Sequence, residues 1–355
     1  MKTGKTLTQL AQALVAQKQT SKDYIVPTEL IKAVNEPFDK GIGLEFEGKS
    51  YPLNSWSNTQ VSQFSNIPKA YYDRLSTENP WLLADNVNHA LAMHPKESRL
   101  IRTVNGSARA VLSSRYRILD SHDMLESVLP LFMEKGLEVV SSELTEQRMF
   151  IKVLSPTLQS DITGKGDVVQ YGLTISSSDV GSGSVKVEPL VYRLVCLNGM
   201  ISNTAFRKYH VGKNQHEDSI QELLSDKTKA VSDTAFWMQV NDIIKHSLDP
   251  KNFETQVDRL RVAAGRPIDN FDLPKVVELA MKQTGITGDV KKNSILSALA
   301  SGNQGAGLTQ WGLINSFTAA AKDDRFSYEE SIELERAGGS IIELNKTQWS
   351  AIADN

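Results

Sequence analysis

One cysteine, Cys196, stands in 355 residues. A lone thiol forms no internal disulfide and rules out every multi-cysteine zinc motif. The stretch around it, Leu190-Val-Tyr-Arg-Leu-Val-Cys-Leu, is mostly apolar and predicts a buried core thiol. A nucleophile would need a partner histidine and a lowered pKa, and nothing local supplies either. No apolar run approaches the roughly 18 residues of a membrane span. The opening Met1-Lys-Thr-Gly-Lys-Thr-Leu carries basic residues without the apolar stretch of a secretory leader. The expectation is a cytoplasmic protein with no membrane partner.

Catalytic signatures are missing too. No His-Glu-x-x-His, Gly-x-Ser-x-Gly or Asp-x-Asp pattern occurs, and the six histidines (His89, His94, His122, His210, His216, His246) are scattered. No catalytic residue, metal ligand or cofactor is assigned from the sequence. A site assembled from distant residues stays open. Net charge is small: 39 basic side chains against 42 acidic ones, or −3. That argues weakly against a protein that coats duplex DNA, although phosphates feel the local field more than the sum.

What is present is ordinary globular patterning, 40% apolar and 23% charged. Residues 5–35 read as helical, from Leu7, Leu10, Leu14 and Val15. A hairpin is predicted over 41–53 around Glu47-Gly48, and another around Asn105-Gly106. Asn54 and Ser121 are candidate N-caps, and Gly136 a C-cap. Strands are expected at 137–140, 149–154, 168–176 and 184–188. Between the last two, Ser177-Ser-Asp-Val-Gly-Ser-Gly reads as a loose hairpin tip. Pro189 is expected to open a helix over 190–197, and one long helix should span 214–248. Helices broken by Gly265, Gly285 and the glycine-rich 301–307 stretch follow. That stretch lacks the Gly-Lys-Ser/Thr ending of a nucleotide loop. The fold class is α+β: a mostly helical 1–95, a central antiparallel sheet with packed helices over 96–213, and a helical 214–355.

Two segments carry the functional expectation. From Lys96 to Arg117 there are six cations, Lys96, Arg99, Arg102, Arg109, Arg115 and Arg117, against the single acid Glu97. Arginine suits phosphate through its planar fork, and Tyr116 offers a stacking face. The second segment, Phe206-Arg-Lys-Tyr-His-Val-Gly-Lys, places Arg207, Lys208 and Lys213 beside Phe206 and Tyr209, with His210 able to hydrogen-bond a phosphate. Cations interleaved with aromatics fit single strands, whose bases stack on rings. The bland reading of both is a solvated face whose charges pair with acids elsewhere.

The stretches Arg109-Ala-Val-Leu-Ser-Ser-Arg-Tyr-Arg-Ile-Leu-Asp, Tyr192-Arg-Leu-Val-Cys-Leu-Asn-Gly-Met, Arg207-Lys-Tyr-His and Gly307-Leu-Thr-Gln-Trp-Gly-Leu-Ile-Asn-Ser-Phe-Thr resemble a phage- and plasmid-borne family, domain of unknown function 932. The resemblance implies a mobile-element protein in a bacterial host and no established activity. The order of elements is also similar to the β-β-β-α core of single-strand annealing proteins of the phage Beta and RecT kinds. That likeness of layout implies a ring or filament of copies with DNA in a basic groove, here Arg109, Arg115, Arg117, Arg193, Arg207 and Lys208. The leading expectation is therefore single-stranded DNA binding and annealing by a homo-oligomer without a cofactor, alongside phage or host recombination proteins. The alternatives are an anti-defence or DNA-mimic module that binds a protein, and a metal-dependent nuclease.

Overall fold

The computed structural model describes residues 1–35, 41–202, 206–208, 226–302 and 306–354. The architecture is α+β. Helix α1 (Leu7–Thr20) leads into β1 (Lys22–Pro27), and β2 (Lys32–Val34), β3 (Gly43–Phe46) and β4 (Lys49–Pro52) follow. Next come α2 (Ser55–Phe64), α3 (Lys69–Glu78), α4 (Pro80–Ala92), the hairpin β5 (Ser98–Val104) and β6 (Ser107–Ser113), and α5 (Ser121–Glu134). The main strands are β7 (Glu138–Leu144), β8 (Met149–Asp161), β9 (Val168–Ser177), β10 (Val185–Arg193), β11 (Asn198–Ile201) and β12 (Phe206–Lys208). The remaining helices are α6 (Asp226–Ser247), α7 (Pro250–Ala264), α8 (Leu273–Thr284), α9 (Asp289–Ala300), α10 (Gln310–Ala320), α11 (Tyr328–Ile341) and α12 (Lys346–Ala353).

Local chemistry explains many of the boundaries. Glu47-Gly48 and Asn105-Gly106 both take positive φ, as tight hairpin turns require. The Asn54 side chain accepts from the Ser57 amide and starts α2. Asp120, one residue before the expected Ser121, is the N-cap position of α5. Four expectations need correction, the last of them the loose hairpin tip between β9 and β10. Of the 5–35 segment only 7–20 is α-helical, with one 3-10 turn at Thr28–Leu30, because Lys22–Pro27 pairs antiparallel with β5. Pro189 sits inside β10 instead of opening a helix. It falls where β10 changes edge partner from β12 at Val185–Val187 to β11 at Leu190–Arg193, so its missing N–H interrupts neither ladder. Cys196, in the turn after β10, is half-buried and not a core residue. Of the predicted 214–248 helix, α6 is the described part.

The main sheet is antiparallel in the order β7-β8-β9-β10-β11, with β12 on β10. Both faces are covered. Met149, Ile151, Val153, Leu173 and Ile175 pack with Leu10 and Leu14 of α1 and with α5 and α6. Phe150, Leu154, Leu190 and Ile201 pack with Tyr328 and Ile332 of α11. Two small sheets, β1-β5-β6 and β2-β3-β4, carry the N-terminal core around Tyr72, Leu83 and Ile101. The 178–184 connection, expected to be a loose tip, is the joint between these parts. Ser178, Asp179 and Val180 are buried, and the Val180 carbonyl accepts from Trp56 Nε1 and Gln60 Nε2, each at 2.8 Å. No helix among the described residues is long and apolar enough to cross a membrane.

Candidate nucleic-acid interface

The predicted arginines divide between the two ends of β9. At the end after β9 is Asp179. The β5–β6 register jumps from Arg102↔Ala110 to Thr103↔Ala108, leaving Arg109 as a bulged residue. A bulge re-aims a side chain, and both arginines reach Asp179. Arg102 donates from Nη1 to the Asp179 carbonyl, from Nε to Asp23 and from Nη2 to Asp120, all at 2.7–2.8 Å. Arg109 Nη2 donates to Asp179 Oδ1 at 2.6 Å. Burial opposes the Arg102 charge, yet Asp120, Asp179 and Asp23 together hold its pKa above the ordinary range. Tyr116 donates to the Ser178 carbonyl, and burial pushes its phenol up to about 12. Arg102 and Arg109 are 3% and 6% exposed, so they serve the joint and are not presented to a polymer. Arg117 donates from Nε to Asp233 of α6 at 2.8 Å and lies over the Phe236 ring. Arg115 is exposed.

Arg193 belongs to the opposite end, beside Asp167, which precedes β9. Ten strand residues separate the two clusters, roughly 30 Å at about 3.3 Å per residue. The expected continuous groove of Arg109, Arg117 and Arg193 is therefore not formed. Arg207 and Lys208 lie at backbone positions opposite Lys186 and Val185, and Tyr209, His210 and Lys213 lie outside the described residues.

Around Arg193 the structure builds an open cleft of about 660 Å³. Arg193 Nε donates to Asp167 Oδ1 at 2.5 Å, and Trp311 Nε1 donates to Asp167 Oδ2 at 2.8 Å. The guanidinium lies 5.7 Å from the Trp311 ring centre. The rim is a β8–β9 turn, Asp161-Ile-Thr-Gly-Lys-Gly-Asp. Asp161 accepts from the amides of Gly166, Thr163 and Gly164 at 2.7–3.0 Å. These bonds, the Gly166 one foremost, hold its carboxyl below the usual range. The turn carries Lys165 exposed, and α7 brings Arg261, which donates weakly to Ser160 and to the Asp161 carbonyl. Three cations line the cleft, Lys165, Arg193 and Arg261; Asp167 holds Arg193, Asp258 lies 3.3 Å from Arg261, and the Asp161 carboxylate is turned onto the rim amides. Val195 and Ala264 supply apolar wall, and Val195 is 47% exposed.

Lys165, Arg261 and Trp311 were not singled out from the sequence. The Asp-x-x-Gly-Lys-Gly turn was the available signal. Trp311 lies in one of the stretches that carry the family resemblance, and Arg193 in another. The same two stretches also meet through Asn198, whose side chain donates to Asn315 and Thr318.

Among the described residues one group, His122, Asp123 and Glu126, has metal-ligand spacing. The Lys18 ammonium already sits 3.2 Å from both His122 Nδ1 and Asp123 Oδ1, in the place a cation would take. The nuclease reading gains nothing from it.

A family model described as "Domain of unknown function (DUF932)" matches residues 108–349. No curated protein and no solved structure matches the chain.

Proposed function

The chain belongs to the DUF932 family, and from the charge and shape of the Lys165–Arg261 cleft we propose that it binds single-stranded DNA there. The observation that carries the reading is the pair of exposed cations, Lys165 and Arg261, along an open cleft with an apolar wall in a chain whose net charge is negative. Lys165 and Arg261 meet phosphates, while exposed Val195 and Leu197 offer apolar contact to unstacked bases. Arg193, held by Asp167, positions the wall rather than the strand. Few phosphates are neutralised per copy, so useful affinity needs several linked copies, as an annealing oligomer of a mobile element would provide. Strand annealing is the activity such binding serves.

The test is fluorescence anisotropy with a labelled oligonucleotide at low salt. Lys165→Ala with Arg261→Ala should weaken binding to every sequence alike, because phosphate contacts carry no sequence information. Undiminished binding by a folded double variant would refute the assignment.

A protein partner is the second reading, and Phe271 favours it. That ring, in the α7–α8 connection, is 95% exposed, and exposed aromatics anchor protein interfaces. Absence of any anisotropy change at low salt would turn the choice toward it.

A further inference from the structure

A second cleft, of about 610 Å³, opens where the β7–β8 turn, the start of β10 and α11 meet. Arg148, Lys186 and Arg336 line it, with Glu146, Glu329 and Glu333. The guanidinium groups are not equivalent. Arg336 is bidentate on Glu188, with Nε at 2.8 Å and Nη2 at 2.5 Å. Arg148 has no such partner. Its Nε and Nη2 donate to the hydroxyl and carbonyl of Ser182, and Nη1 is buried without a hydrogen bond. Among the described residues no carboxylate lies within 4.0 Å of it. Of the rim acids, Glu333 is engaged by Lys291 at 3.5 Å.

The chain has closed on this cation. Gly183 takes positive φ, and a Cβ there would run into the Arg148 guanidinium, so a larger residue would displace that side chain from the loop. Burial, and then the neighbouring Arg336, lower the Arg148 pKa. Glu188 and Glu329 oppose that lowering from a distance, but a desolvated cation with no carboxylate in contact is costly unless a ligand supplies one. The sheet beneath is also short of partners. Ser176 stands across the strands from Phe150 and Lys186, both of which line the cleft. On that face the hydroxyls of Thr174 and Ser176 are buried without hydrogen bonds.

We propose that this cleft is a binding site for a phosphate-type oxyanion, held by Arg148 with Lys186 beside it and Arg336 on its flank. With Nε and Nη2 held by Ser182, Nη1 is the Arg148 donor left for an oxyanion, through a charge-assisted hydrogen bond. The cleft is at the Asp179 end of β9, away from the Lys165 cleft, so the proposal stands independently of DNA binding there. The anion is either free phosphate or the phosphate of a nucleotide.

Calorimetric titration of the full chain with inorganic phosphate, at constant ionic strength against a chloride control, tests it. Phosphate should bind the wild type and the Lys165→Ala variant alike. Arg148→Gln should weaken binding by about tenfold or more, the worth of one charge-assisted hydrogen bond. Where Arg148→Gln does not fold, Lys186→Gln is the variant, and it too must weaken binding. Tighter binding of a nucleoside 5′-monophosphate than of phosphate assigns the anion to a nucleotide. Equal binding assigns it to free phosphate. Heat no greater than chloride gives, or a folded variant of either residue with undiminished affinity, overturns the site.

Discussion

Arg109 Nη2 donates to Asp179 Oδ1 at 2.6 Å, joining β6 to the β9–β10 connection with both side chains 7% exposed. Arg102 donates to the same residue's carbonyl. Asp179→Ala removes the carboxylate of the buried Arg109, while Arg102 keeps Asp23, Asp120 and the backbone carbonyl, and breaking a buried pair this way costs about 3–5 kcal/mol. Urea unfolding measures the loss. A change under about 1 kcal/mol would mean that water, not Asp179, balances the arginines.

Lys152 and Glu335 form a second buried pair, 2.5 Å apart and both fully enclosed between β8 and α11. Burial lowers the Lys152 pKa, and Glu335 works against it. Lys152→Met alone strands the carboxylate and should cost about 3–5 kcal/mol, whereas adding Glu335→Leu should restore most of it. A double variant as unstable as the single one would show that packing, not charge, sets the penalty.

Trp311→Phe keeps an aromatic ring but removes the donor to Asp167. The expected loss is about 1–3 kcal/mol, the cost of leaving a buried acceptor short of a partner. Thermal unfolding with Trp311→Phe and Asp167→Asn, singly and together, should give less than the sum of the single losses. Strict additivity would uncouple the two residues.

Burial raises the Cys196 thiol above the ordinary thiol range, with Arg193 opposing. The thiolate fraction at neutral pH is therefore smaller than for an ordinary thiol. Iodoacetamide should label the folded chain slowly at pH 7, and faster as pH rises past 9. Labelling at pH 7 faster than that of a free cysteine would restore the nucleophile reading.

Much of the fold was legible in local chemistry. The Glu47-Gly48 and Asn105-Gly106 turns and the Asn54 cap each follow from a few adjacent residues. What escaped was decided at long range. Lys22–Pro27 becomes a strand because β5 pairs with it, as in Asp23↔Arg102, 79 residues apart. The 178–184 connection looks soluble and loose, yet Trp56, Gln60, Arg102, Arg109 and Tyr116 satisfy its polar groups. The run from Lys96 to Arg117 counted as a basic patch for the same reason. Charge along the chain does not reveal that Asp23, Asp120, Asp179 and Asp233 fold back onto those arginines. Lys165 and Arg261 were missed in the opposite sense, since isolated cations in sequence become neighbours of one cleft.

The most direct test is photocrosslinking of the full chain to a single-stranded oligonucleotide carrying bromodeoxyuridine, followed by peptide mapping. The account predicts adducts in residues 161–167, 193–197 and the end of α7, lost in the Lys165→Ala, Arg261→Ala variant. Adducts confined to other segments, or none at low salt, would contradict it.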